Sequence, residues 1–145
     1  RKGGKKDMST GPSFSTKDST LEYFVKASNK HGFSLDISLY FNGAVISGTM
    51  ISAKEYFDYL SETFEEGSEV AQALSEQFSL ASEASESNGE AEAHFIHLKN
   101  TKIYCGDSKS TPSKGKIFWR GKIAEVDGFF LGKISDAKST SKKSS

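Results

Sequence analysis

The chain has 145 residues, the size of one domain, and its 19 Lys+Arg balance its 19 Asp+Glu to a formal net charge of zero. A single cysteine, Cys105, excludes an internal disulfide, and no apolar run approaches the ~20 residues that span a bilayer. The balanced charge argues against a strongly nucleic-acid-binding protein, and the basic N-terminus lacks the apolar core of a signal peptide. A cytoplasmic protein with one core is expected.

Residues 1–7 set Arg1, Lys2, Lys5 and Lys6 against Asp7 and read as a remnant ahead of a natural start at Met8. They contribute +3, so the remaining chain carries −3. Residues 8–17, rich in Ser, Thr, Gly and Pro, read as a flexible leader, and the folded domain is expected over 18–135. Ser19 is the expected cap of a first helix, with Glu22 completing a capping box. Leu21, Phe24 and Val25 form its apolar stripe, and His31-Gly32 ends it.

The period then changes from helix to strand. Phe33, Leu35, Ile37, Leu39 and Phe41 alternate with Ser34, Asp36, Ser38 and Tyr40, a half-buried strand. Asn42-Gly43 is a hairpin signal, because a type I′ turn needs positive φ at both central residues. A second strand follows from Ala44 to about Ile51, with Gly48 marking a bulge or sharp bend. Residues 53–86 read as helix, broken near Gly67, with Ser68 capping the second half. Tyr56, Phe57, Leu60 and Phe64 form one stripe; Val70, Ala73, Leu74, Phe78 and Ala81 form another. Three further strands are expected over Ala93–Tyr104, Lys116–Val126 and Phe129–Ser135, with Asp127-Gly128 as a second hairpin signal. Residues 136–145 read as a disordered basic tail.

This order gives an α+β fold. Its expected form is a small antiparallel five-stranded sheet or partly closed barrel, with an N-terminal helix and a helical insertion between strands 2 and 3.

Charge is sorted along the chain. Glu55 to Leu98 holds eleven acidic residues and no Lys or Arg, whereas Lys99 to Ser145 holds eleven basic residues against four acidic ones. Such blocks either form solvated faces or attract one another between molecules, weakly, multivalently and with strong screening by salt. The candidate contacts for a partner or a second copy are Glu65, Glu66 and Glu69 on the acidic side, with Lys114, Lys116, Phe118, Arg120, Lys122 and Phe130 on the other. Phe118 and Trp119 among basic residues also fit a single-stranded nucleic-acid surface, although strand alternation explains Trp119 equally well as core.

Nothing reads as catalytic. His94 and His97, three apart on a strand, point to opposite faces and do not share a metal. Cys105 has no base or helix N-terminus beside it. No phosphate loop, zinc spacing or nucleophile elbow occurs, so no cofactor or metal is expected.

Four stretches carry a family resemblance: Thr20 to Ile37, Asn42 to Thr49, Lys54-Glu-Tyr-Phe, and Ile117 to Gly132 with its Phe-Trp-Arg-Gly-Lys-Ile-Ala-Glu-Val-Asp-Gly-Phe-Phe-Leu core. On these, the chain resembles the GvpU family of gas vesicle accessory proteins from Bacillus-type gas vesicle clusters, from Met8 to Ser145. The resemblance implies a cytoplasmic, non-enzymatic partner of gas vesicles that promotes their clustering through self-association or phase separation. Its implied partners are the vesicle shell protein and itself, with no membrane. At the level of fold, the first helix, the Asn42-Gly43 hairpin and Arg120-Gly121-Lys122-Ile123 are similar to Sm-like small barrels, which implies a nucleic-acid-binding module as an alternative. A chaperone of shell subunits is a third reading.

Overall fold

The computed structural model describes residues 17–88, 91–106, 109–112 and 117–134. The expected remnant, nearly all of the leader, the basic tail, Lys114 and Lys116 therefore lie outside the described residues.

Helix α1, Ser19–His31, is capped by Asp18 rather than Ser19: the Asp18 carboxylate accepts the Thr20 and Leu21 amides at 2.9 and 3.4 Å. An ionised oxygen there also suits the positive end of the helix dipole. Glu22 consequently leaves the expected capping box and accepts the Ala93 amide at 3.0 Å. Gly32 closes the helix in the left-handed conformation, φ 71°.

Strands β1 (Leu35–Phe41) and β2 (Ala44–Ile51) form the expected hairpin, with φ of 50° at Asn42 and 85° at Gly43. Phe33 precedes β1 and is exposed. Helices α2 (Ala53–Phe64) and α3 (Glu69–Ser87) are separated at Gly67, and the Ser68 hydroxyl caps α3 by accepting the Ala71 amide. The apolar stripe expected on α3 largely faces outward: Val70 is 72% exposed and Leu74 40%. Of that stripe Phe78 turns inward, stacked on Phe57 and Phe64, and the rest of the inward face is built on Ser75 and Ser82. Ser75 and Ser61 exchange hydroxyl-to-carbonyl bonds of 2.7 and 3.0 Å, and Ser82 donates to Asp58. These small side chains let α3 lie close on α2, which itself covers the sheet, so α3 has no direct claim on the core.

The remaining strands are β3 (Phe95–Tyr104), β4 (Ile117–Lys122) and β5 (Val126–Leu131), in the order β4-β3-β2-β1-β5, every neighbouring pair antiparallel. Asp127-Gly128 is not a hairpin turn. Both residues sit inside β5, neither takes positive φ, and Asp127 is the extra residue of a bulge opposite Tyr40 and Phe41. The reversal lies earlier, in a 3-10 turn at Ile123–Glu125. That turn, anchored by the Ile123 amide on the His94 carbonyl at 2.9 Å, carries the chain from one edge of the sheet to the other. Among the described residues no β4–β5 ladder forms, so of the two expected forms the chain takes the five-stranded antiparallel sheet and not the barrel.

The sheet is nevertheless strongly curled. Trp119 on β4 and Phe41 on β1 meet edge to face at 5.1 Å, although two strands lie between theirs in the sheet. In a flat sheet they would be about 14 Å apart. The bend centres on β3. Between Leu98 and Thr101 its register shifts against both neighbours, and Asn100 takes a φ of 53°. The extra residue lets Ile103 share a face with Ile96 and Leu98 despite the odd spacing. Gly48 faces this bulge; a Cβ there would sit 2.9 Å from the Lys99 carbonyl oxygen. Gly121 similarly leaves room for the Trp119 indole to lie across its backbone.

Inside the curl, Ile37, Leu39, Ile46, Met50, Ile96, Leu98 and Ile123 pack against Leu21 and Val25 of α1. On the outer face, Ser38 and Ser47 are buried beneath the segment following β5, which was expected to continue as strand. Ser38 donates to the Gly132 carbonyl at 2.8 Å, and Ser47 accepts the Ile134 amide at 2.9 Å. Among the described residues, no helix is long and apolar enough to cross a membrane.

Gly48→Val forces a branched side chain onto the Lys99 carbonyl and the Thr101 hydroxyl. Its expected cost is about 1–3 kcal/mol, read as a lower urea midpoint with an unchanged slope.

Candidate functional site

Helix α2 lies over the β3–β4 end of the outer face. Strand alternation sends Trp119 inward and its neighbours Phe118 and Arg120 outward, beneath α2. Tyr59 stacks on Phe118 with centroids 3.8 Å apart and planes 8° from parallel. The Arg120 guanidinium lies 3.8 Å from the centroid of the Phe95 ring and 5.7 Å from that of Phe57. Its Nε donates to His97 Nε2 at 3.1 Å, which places the imidazole proton on Nδ1.

His97 is 3% exposed and sits 4.8 Å from the Tyr56 ring. Burial, reinforced by the neighbouring Arg120 charge, pushes its pKa from the ordinary 6.5 down to about 3. It is therefore a neutral acceptor that fixes Arg120. A cavity of about 290 Å³ opens beside this pair, lined among others by Asn29, Phe57, Asn88, Phe95, His97 and Arg120. Arg120 has no carboxylate partner among the described residues. The cavity thus offers one aromatic-backed cation, amide groups and apolar walls. That is a binding chemistry, with no nucleophile set beside a base.

The rim is tied together by ions. Lys17 Nζ lies 2.8 Å from Glu92 and 3.3 Å from Glu22, and donates to the Ala93 carbonyl at 2.6 Å. Burial opposes the Lys17 charge, but its hydrogen bonds to Glu92 and Glu22 win and raise its pKa. Glu55 holds Lys99 at 2.8 Å, and Asp58 holds Lys54 at 2.9 Å.

The residues singled out from the sequence do not form one patch. Phe118 and Arg120 come together under α2, and Lys122 is exposed at the end of β4. Phe130 stands on the opposite edge, in β5, 6.3 Å from the Tyr40 ring. Glu65, Glu66 and Glu69 are exposed around the α2–α3 turn. With Glu62, Glu76, Glu83 and Glu86 they make an exposed acidic surface that no ion pair neutralises among the described residues. Tyr59 and Phe95 cover the ring of Phe118 and one side of Arg120, so neither presents an open platform for a nucleic-acid base. Sequence reasoning missed His97, Phe95 and Tyr59 as parts of this site. Tyr59 held a usable signal, an aromatic lying off the apolar stripe of α2. His94 is exposed, and among the described residues no group of three His, Cys, Asp or Glu side chains could hold a metal ion.

A family model described as Gas vesicle protein GvpU-like matches residues 18–134, most of the chain. Neither the curated proteins nor the solved structures contain a match.

The buried His97 makes stability depend on pH. Below about pH 6.5 the unfolded chain binds a proton that the folded protein refuses until about pH 3, so stability falls as pH drops through that window. The slope is about 1.4 kcal/mol per pH unit, or about 2 kcal/mol between pH 6.5 and 5. Urea unfolding at both pH values is expected to show this loss in the wild type and a much flatter dependence in His97→Gln.

Proposed function

Because the chain belongs to the GvpU-like family of gas vesicle proteins, we propose that it acts in the cytoplasm at the vesicle surface and clusters vesicles by associating with the shell and with itself. The family membership makes it a gas vesicle-associated protein, from a family of accessory proteins rather than known enzymes. The observation that carries the clustering is the acidic surface of α2 and α3. Its exposed glutamates lie beside the uncovered apolar side chains Val70, Leu74 and Leu80, while the sequence after Lys99 is predominantly basic. A surface both charged and apolar, on a chain of low net charge, favours weak association with its oppositely charged counterpart on another copy. Many such contacts across a vesicle surface add by effective concentration.

The Arg120 cavity supplies a shell-contacting site in this reading. An exposed guanidinium held against an aromatic ring on one side suits a carboxylate from a partner chain.

Turbidity of vesicle suspensions checks the charge mechanism. Clustering is expected to fall steeply as salt is raised, because exposed charges are screened beyond about 8 Å at physiological ionic strength. The triple reversal Glu65→Lys, Glu66→Lys, Glu69→Lys is expected to weaken clustering severalfold at low salt. Indifference to both would leave apolar contact as the driver.

A further inference from the structure

The two edges of the sheet differ in how they are protected. β4 carries Arg120 and Lys122 and lies beside α2, the kind of charged and covered edge that resists pairing. β5, Val-Asp-Gly-Phe-Phe-Leu, has no Lys or Pro, and its only charge is on the bulged Asp127. Among the described residues it pairs with β1 on one side only. Large apolar side chains are exposed there: Phe130 is 40% exposed, Leu131 56%, and Tyr40 on the adjoining strand 49%.

The backbone sets which groups are open. The Gly132 amide turns toward β1 and bonds the Asp36 carbonyl at 2.8 Å. Alternation along an antiparallel ladder then directs the Phe130 backbone toward β1, and the Phe129 and Leu131 backbones toward the open side. A second copy can satisfy these groups only in particular registers.

We propose that two copies pair through their β5 strands, antiparallel and two-fold symmetric about Phe130, to extend the sheet across the dimer. In this register the open groups of Phe129 meet those of Leu131 in the other copy, and each strand satisfies the other. Phe130 faces its own equivalent at a non-hydrogen-bonded position, where Cα atoms approach to about 4.5 Å and side chains are closest. The same register sets Asp127 of one strand toward Lys133 of the other, opposite charges at both ends of the ladder. Inner faces stay with inner faces, so Leu131 of one copy meets Phe129 of the other, and no apolar residue is turned to water. A two-fold contact uses one patch twice and closes on itself, so it stops at a dimer. This deepens the self-association reading on which it rests: the dimer carries two shell-binding surfaces and two acidic surfaces, which makes it a bivalent unit.

Two measurements made without vesicles test it. Cysteine is placed at position 130 by Phe130→Cys, in a Cys105→Ser background, and compared under mild oxidation with Tyr23→Cys on the exposed side of α1. The facing Cα separation suits a disulfide, so Phe130→Cys is expected to form a covalent dimer at least tenfold faster than Tyr23→Cys. Sedimentation of the wild type is expected to show a monomer–dimer equilibrium. Its dissociation constant should rise at least tenfold in both Phe130→Lys and Leu131→Pro, the latter removing an outward amide that β1 does not use. Circular dichroism confirms that both variants are folded. Equal cross-linking at the two positions, or a dimer that survives both substitutions, overturns the proposal. These results are independent of the salt dependence of clustering. A β5 dimer with clustering insensitive to charge reversal supports this pairing while removing the charge mechanism, and a monomer whose clustering is salt-sensitive does the reverse.

Discussion

The bulge in β3 at Asn100 is the constraint on which the rest of the molecule depends. One extra residue, held at positive φ and faced by a glycine on β2, bends the sheet until its β4 and β1 aromatics touch. The curl closes a core that a flat five-stranded sheet would leave half open, and α1 covers what remains. It also resets the parity of β3, so that residues before and after the bulge line the same interior. Removing the bulge would turn Ile103 outward and bring Lys102 in, a change that no local repacking could absorb.

The same bend creates the candidate site. By rolling β3 and β4 under α2, it buries His97 and lays the Arg120 guanidinium against Phe95. A neutral imidazole and an aromatic ring are unusual company for a cation. They orient it without neutralising it, which leaves the charge available to a partner. The C-terminal end of α3 reaches the same cavity, which Ala84, Ser85 and Asn88 help to line. The cation and the acidic helix are therefore neighbours in space, although far apart in sequence.

Local chemistry made much of this legible. Asn42-Gly43 demands a type I′ turn, and Gly67-Ser68 breaks and restarts a helix; both signals are complete within a few residues. The five antiparallel strands and the helical insertion follow from hydrophobic period alone. The errors arose where a local signal met a stronger distant one. Asp127-Gly128 has turn chemistry, but Tyr40 and Phe41 draw it into a ladder as a bulge. Val70 and Leu74 have the periodicity of a core stripe, yet the serines of α3 are what dock, because the partner is another helix and hydroxyls allow close approach. For the site, Phe118, Arg120 and Phe130 could be named from alternation, but their separation onto opposite edges required the strand order. His97 could not be recognised as buried, since nothing in a lone histidine reports which helix will cover it.

The serine-laced seam between α2 and α3 gives the molecule two grades of firmness. The sheet and α1 share an aliphatic interior, whereas α3 is held by hydroxyl bridges, one carboxylate contact and stacked rings over Phe78. Such a seam loses little when water enters, because water replaces the same hydrogen bonds. An outer helix held in this way, clear of the shared interior, is expected to open at lower denaturant than the curled sheet. Opening there would bare Phe57 and Phe78, whose rings stack across the seam. The molecule is in that sense a firm sheet carrying a more loosely fastened acidic helix.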